Sequence, residues 1–281
     1  MRKFLKKNIK PFLVFIGCYS FAYRLYFFLL YSNTKLINFF SKTFSKTAPI
    51  LLYHRITKIS NDPNMLCVSP EYFETHLRFL KKNYKVIPLS KLSGELIAGT
   101  ITGREAAITF DDGYQDNLTN ALPLLEKYNL PATIFITTSS LGKRASYEWD
   151  MEYKETDRAN FLSETEIKAL SSHPLIEIGA HTLTHPRLID LDPKEQRIQI
   201  ERSKTALEQI TGKRISSFAY PFGGYSDFDK TSERIVEELG FDFGYSNTQR
   251  FARKTKNRFC IPRINIREYD EKTFSNILNP L

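Results

Sequence analysis

The stretch Ala106-Ala107-Ile108-Thr109-Phe110-Asp111-Asp112-Gly113 reads as a buried strand that runs, without a spacer, into two carboxylates and a glycine. In parallel α/β folds the carboxyl ends of the strands form the active-site face. Adjacent side chains on an extended strand point apart, so aiming both acids into one site requires a turn, and Gly113 permits one. Two close carboxylates also repel, which calls for a cation beside them. Asp-Asp-Gly is equally a common solvated turn, so this motif alone leaves both readings open.

On either side the pattern repeats. Ile50–Tyr53, Ala132–Ile136, Ile176–Ala180, Ser217–Tyr220, Phe241–Tyr245 and Ile261–Ile264 read as strands, with a shorter one over Tyr84–Leu89. Helices are expected from Ser69-Pro70 to about Lys82, over 118–128 and 164–172, from Asp192-Pro193 to about Thr211, and over 229–239. This alternation predicts an α/β fold with a parallel sheet. Seven or eight strands fit a barrel better than an open sheet, although periodicity does not settle closure.

Composition narrows the function. The hydrophobic share of 42% and charged share of 25% are those of a globular domain. The net charge of +9 suggests nucleic acid until it is located. Residues 1–48 hold nine Lys and Arg and no Asp or Glu, which leaves residues 49–281 formally neutral. A nucleic-acid groove needs its excess charge in the folded domain, so nucleic acid is disfavoured and an anionic membrane surface favoured.

Residues 11–31, PFLVFIGCYSFAYRLYFFLLY, are long and apolar enough for a membrane span, interrupted by Arg24. Gly17, Ser20 and Arg24 share one helical stripe, which also suits a helix lying in the interface; a helical hairpin packed on the domain is the third alternative. We therefore expect a helical segment 1–48 that touches a membrane, followed by a catalytic domain 49–281 outside the cytoplasm. The heavier positive charge before the apolar stretch favours that orientation. The domain itself is expected to be monomeric. Cys18, Cys67 and Cys260 are odd in number and match no disulfide framework.

Two further motifs follow strands. His181-Thr182-Leu183-Thr184-His185 has the H-x-x-x-H spacing but lacks the Glu of a zinc-protease helix, and Pro186 stops any helix there. A single turn could still place both imidazoles on one side. Two His and one Asp leave an open position for water, the arrangement of a catalytic metal site. Ser217-Phe218-Ala219-Tyr220-Pro221-Phe222-Gly223-Gly224 is a strand and a tight turn whose backbone N–H could face the same site.

Taken together, in this order, the three motifs resemble the polysaccharide deacetylase family, the NodB-homology domain of carbohydrate esterase family 4. The resemblance runs from about Ile50 to about Arg267. It implies a distorted (β/α) barrel of about seven strands and hydrolysis of acetyl groups on an N-acetylated polysaccharide. By motif, Asp111 is then the general base and Asp112, His181 and His185 hold a divalent metal. Zn²⁺ is favoured, and Co²⁺, Ni²⁺, Fe²⁺ or Mn²⁺ are compatible. The Phe222 N–H, next to Tyr220, would join the metal in stabilising the oxyanion.

The sequence departs from the family pattern twice. No Arg precedes the Tyr220-Pro221 turn, and no His follows His185. Tyr53-His54-Arg55 resembles the branch that deacetylates poly-N-acetylglucosamine-type exopolysaccharides, in which an early His replaces the late one. His54 is therefore the candidate acid, and Arg263, in Ile261-Pro262-Arg263-Ile264, the candidate partner of Asp111. Trp149, the only tryptophan, and Tyr114 are candidate groove walls for sugar. An O-deacetylase, a non-sugar amidase and an inactive carbohydrate-binding protein remain as alternatives.

Overall fold

The computed structural model describes residues 46–145, 147 and 149–278. The expected membrane-contacting segment over 11–31 lies outside the described residues. No helix among the described residues is long and apolar enough to cross a membrane.

Eight parallel strands form the sheet: β1 (Ile50–Tyr53), β2 (Glu105–Phe110), β3 (Ala132–Ile136), β4 (Ile176–Ala180), β5 (Ser217–Ala219), β6 (Phe243–Ser246), β7 (Ile261–Pro262) and β8 (Ile264–Asn265). Their spatial order is β7-β6-β5-β4-β3-β2-β1-β8, with Lys85–Val86 paired beside the start of β2. The two ends of this path are one piece of chain. β7 pairs with β6, β8 pairs with β1, and only Arg263 separates them. The segment Ile261–Asn265 therefore bridges the two sheet edges and nearly closes a barrel. The thinnest seam is β4 to β5, where the ladder pairs only Ala180 with Phe218.

Helices cover the outside: α1 (Pro70–Asn83), α2 (Leu89–Ala98), α3 (Leu122–Tyr128), α4 (Glu164–Ser172), α5 (Pro193–Thr211), α6 (Lys230–Glu238) and α7 (Glu271–Leu278). Their starts follow local chemistry. Ser69 caps α1, which begins with a proline, and Asp192 caps α5 in a reciprocal pair with Glu195. Strand parity divides the core. Leu51, Tyr53, Ile108, Phe110, Ile134 and Ile136 pack outward under the helices, while Ile50, Ala107, Phe135, Ala219, Tyr245 and Ile261 share an inner cluster. α2 adds Leu89, Leu92 and Leu96 to that inner cluster.

The structure differs from the expected elements at several places. The strand expected over 84–89 is only Lys85–Val86, and Leu89 already begins α2. The last strand is split at Arg263. Before β1, Thr47–Ala48 pairs antiparallel with Ala252–Arg253.

Candidate active site

The motif residues converge because each lies just beyond the carboxyl end of a strand. Asp111 still belongs to the ladder, its N–H donating to the Tyr53 carbonyl at 3.0 Å. Asp112 then turns into the left-handed region with φ 74°, followed by Gly113 at φ 79°. This two-residue turn aims neighbouring carboxylates at one place. At the end of β4, the His181 N–H donates to Ile136 at 3.0 Å. Thr182 and His185 have φ of 67° and 61°, and the Thr182 hydroxyl accepts the His185 N–H at 3.1 Å. With Phe222 at φ 61°, four non-glycine residues of these three motifs hold a conformation that side chains disfavour. Strain concentrated this way marks a functional site.

Asp112, His181 and His185 are buried, and one ligand atom from each lies within 4.8 Å of the others. Asp112 Oδ1 is 3.2 Å from His185 Nε2 and 3.6 Å from His181 Nε2. The His181 Nδ1–H donates to the Ala219 carbonyl at 2.8 Å, which leaves the Nε2 lone pair facing the carboxylate. Asp112 Oδ1 is buried without a hydrogen-bond partner. An unmatched buried carboxylate oxygen facing two imidazole nitrogens is a donor set that fits a divalent cation. Burial would raise the Asp112 pKa, but His185, His54 and His181 outweigh it and hold the group well below the usual carboxylate range. Burial pushes His181 down to about 4, so the ring is neutral, as a ligand must be.

Arg263 sits where the barrel closes and is fully buried. Its guanidinium forks onto Asp111, with Nη1–Oδ1 and Nη2–Oδ2 both at 2.7 Å. Thr109 Oγ1 accepts a further bond at 3.2 Å, the Ser246 carbonyl another at 3.3 Å, and the Phe135 ring lies 5.2 Å from the guanidinium carbon. Burial raises the Asp111 pKa, but Arg263 and then His181 overcome that and keep the group ionised. Asp111 Oδ2 is 3.8 Å from His181 Nε2, beside the cluster.

His54 follows β1 and is partly exposed. Its carbonyl accepts from Asn117 at 2.8 Å, and its buried Nδ1 has no partner among the described residues. Burial lowers its pKa, against the pull of Asp112 and Asp111. The neighbouring Arg55 points elsewhere, to Asp116 Oδ2 at 3.0 Å and the Asp157 carbonyl at 2.9 Å.

The aromatic candidates separate into two kinds. Phe222 and Trp149 are half-buried, with rings 4.9 Å from the His185 ring and 5.7 Å from each other. Tyr220 and Tyr114 are fully buried and line no groove. Tyr220 stacks on Phe228 at 3.8 Å and donates to the Phe259 carbonyl at 2.9 Å. Tyr114 stacks on Phe161 at 4.9 Å and donates to Asp150 at 3.0 Å. Phe161 reaches Tyr114, and the Phe259 carbonyl reaches Tyr220, from segments distant in sequence. Tyr147, not singled out from the sequence, does lie beside the site, 5.4 Å from the His185 ring. Its only sequence signal was the neighbouring tryptophan.

Comparison with known proteins identifies the family. The sequence profile described as Polysaccharide deacetylase matches residues 98–244, more than half of the chain. YxkH of Bacillus subtilis (strain 168) is 28% identical over 220 residues, covering 78% of this chain and 71% of that protein. The poly-beta-1,6-N-acetyl-D-glucosamine N-deacetylase of Staphylococcus aureus (strain MRSA252) is 27% identical over 239 residues, 78% of each chain. The Streptococcus pyogenes deacetylase PplD, solved in complex with acetate, shares the fold with a TM-score of 0.70 at 22% identity, covering 84% of this chain and 100% of that one. With its motifs in order on successive strands of a nearly closed parallel barrel, the chain belongs to the polysaccharide deacetylase family, carbohydrate esterase family 4.

Proposed function

We propose that this protein hydrolyses the acetamide groups of N-acetylated sugars in a cell-surface or extracellular polysaccharide of the poly-N-acetylglucosamine type. The observation that carries this reading is the Asp111–Arg263 fork set beside the buried Asp112–His181–His185 cluster. The Tyr53-His54-Arg55 segment and the named activity of the Staphylococcus aureus relative support the choice of polymer. A divalent cation held by Asp112, His181 and His185, Zn²⁺ by preference, supplies a Lewis acid and lowers the pKa of water.

The remaining work falls to the chain's own groups. Asp111, kept ionised by Arg263, accepts the proton of the attacking water. The Phe222 N–H stabilises the charge that develops on the carbonyl oxygen. His54 gives a proton to the departing amine. Trp149 and Phe222 wall the sugar beside His185. The products are acetate and a free amine.

We also propose that residues 1–48, basic and without an acidic residue, hold the enzyme at a membrane with its catalytic domain outside the cytoplasm. The test of the activity is incubation of the full chain with N-acetylglucosamine oligomers, measuring acetate and new primary amines, beside a parallel incubation with O-acetylated sugars. Equal amounts of both are expected. Acetate released only from O-acetylated sugars, without new amine, overturns the assignment and identifies an O-deacetylase.

A further inference from the structure

The loop after β3 contains a buried carboxylate that the proposed reaction does not use. Asp150 is 1% exposed, between half-buried Trp149 and exposed Met151. Its Oδ1 accepts the Tyr114 hydroxyl at 3.0 Å and its Oδ2 accepts the Tyr147 N–H at 2.9 Å. The Tyr114 oxygen in turn accepts the Trp149 indole N–H at 3.2 Å. One carboxylate thus fixes two aromatic residues, one directly through its backbone and one through a phenol. Those two rings pack on each other at 4.6 Å and both face His185, Trp149 at 4.9 Å and Tyr147 at 5.4 Å.

The anchor at the other end of this relay is rigid. Tyr114 follows the Asp111-Asp112-Gly113 turn directly, and its ring is clamped by Phe161 at 4.9 Å. The returning strand of the loop is laced to the same place by Gln115 N–H to Asn160 at 2.8 Å and Leu162 N–H to Gly113 at 2.9 Å. On the outer side the Trp149 carbonyl accepts from Asn64 at 3.0 Å, and Tyr153 donates to Asp62 at 2.7 Å. A buried carboxylate is costly and is retained only where its hydrogen bonds define a geometry. Here that geometry is the placement of Tyr147 and Trp149 relative to the site.

We infer that Asp150 and Tyr114 are positioning residues that hold the Tyr147–Trp149 wall in place against the sugar beside His185. This rests on the deacetylase reading for its substrate, but its structural part can be tested without turnover. A wall that binds sugar equally before and during reaction acts on KM rather than on kcat.

Trp149 is the only tryptophan of the chain, so the emission of the full-length protein reports this loop alone. Tyr114→Phe keeps the ring and removes the bridging oxygen; Asp150→Ala removes the acceptors of both the Tyr114 hydroxyl and the Tyr147 N–H. For whichever variant melts cooperatively, we expect red-shifted Trp149 emission, stronger quenching by acrylamide, and a KM for N-acetylglucosamine oligomers raised about tenfold with kcat little changed. Wild-type emission and quenching in a folded variant overturn the inference, as does a fall in kcat at unchanged KM. If the wild-type chain releases no acetate from these oligomers, the deacetylase reading fails instead, and the emission measurement still decides whether the relay holds the loop.

Discussion

Replacing Arg263 with Ala removes the guanidinium that forks onto Asp111 at 2.7 Å through both nitrogens. Both partners are buried, at 0% and 4% exposure, so no solvent replaces the lost charge. Breaking a buried pair from one side costs about 3–5 kcal/mol, because the other charge stays behind unpaired. Asp111 escapes part of that cost by binding a proton, since Arg263 is the chief attraction opposing burial. A protonated Asp111 cannot act as base, and general-base catalysis is worth roughly 10²–10⁴ in rate. We therefore expect kcat to fall by about 10² or more near neutral pH. The acid limb of the kcat profile should move to higher pH, with metal content unchanged. Arg263→Lys should recover part of the rate but not the fork geometry. The assay is acetate release against pH, with metal content measured on the same samples and urea unfolding as the stability control. Unchanged turnover and an unmoved acid limb in a folded Arg263→Ala protein would refute the reasoning.

Other predictions follow from the same geometry. Zn²⁺ at about a hundredfold its Kd should stabilise the wild-type fold by roughly 2.7 kcal/mol, and Asp112→Asn should lose that gain in a denaturant titration. His76 is buried against Phe274 and donates through Nε2 to the Tyr269 carbonyl, and burial lowers its pKa from 6.5 to about 4. Its neutral form is the one the fold prefers, so its contribution is present above pH 6.5 and is lost as pH falls toward 4. That loss amounts to about 3 kcal/mol. His76→Gln should show a correspondingly smaller drop in unfolding free energy between pH 7 and pH 4. The full chain should float with vesicles rich in anionic lipid and do so less as salt rises, whereas a protein lacking residues 1–45 should not; equal flotation of both would reject the membrane role.

Much of the site was legible because its residues stand where apolar runs stop. Phe110 passes directly to Asp111, Ala180 to His181 and Tyr53 to His54. Strand ends therefore gave the positions of the site without any knowledge of the turns. The turns themselves were less legible. Gly113 announced one, but Asp112, Thr182, His185 and Phe222 adopt positive φ without being glycine. Closure was also hidden, because two two-residue strands flanking Arg263 carry no periodicity. α2 escaped notice because its cap position is Pro88, with no side-chain cap, and Gly94 interrupts its pattern. Tyr114 looked like a groove residue, and Tyr220 like a substrate-binding one, from their neighbours in sequence. Phe161, which stacks on Tyr114, and the Phe259 carbonyl, which binds Tyr220, come from segments that only the fold brings near.

The most direct test of a metal-assisted deacetylase is acetate release from N-acetylglucosamine oligomers by the full chain, stripped of metal and then reloaded with Zn²⁺ or Co²⁺, beside Asp111→Asn. The account predicts no release when stripped, recovery on reloading, and none from Asp111→Asn although it still takes up metal. Release that survives stripping, or that is undiminished in Asp111→Asn, would contradict it.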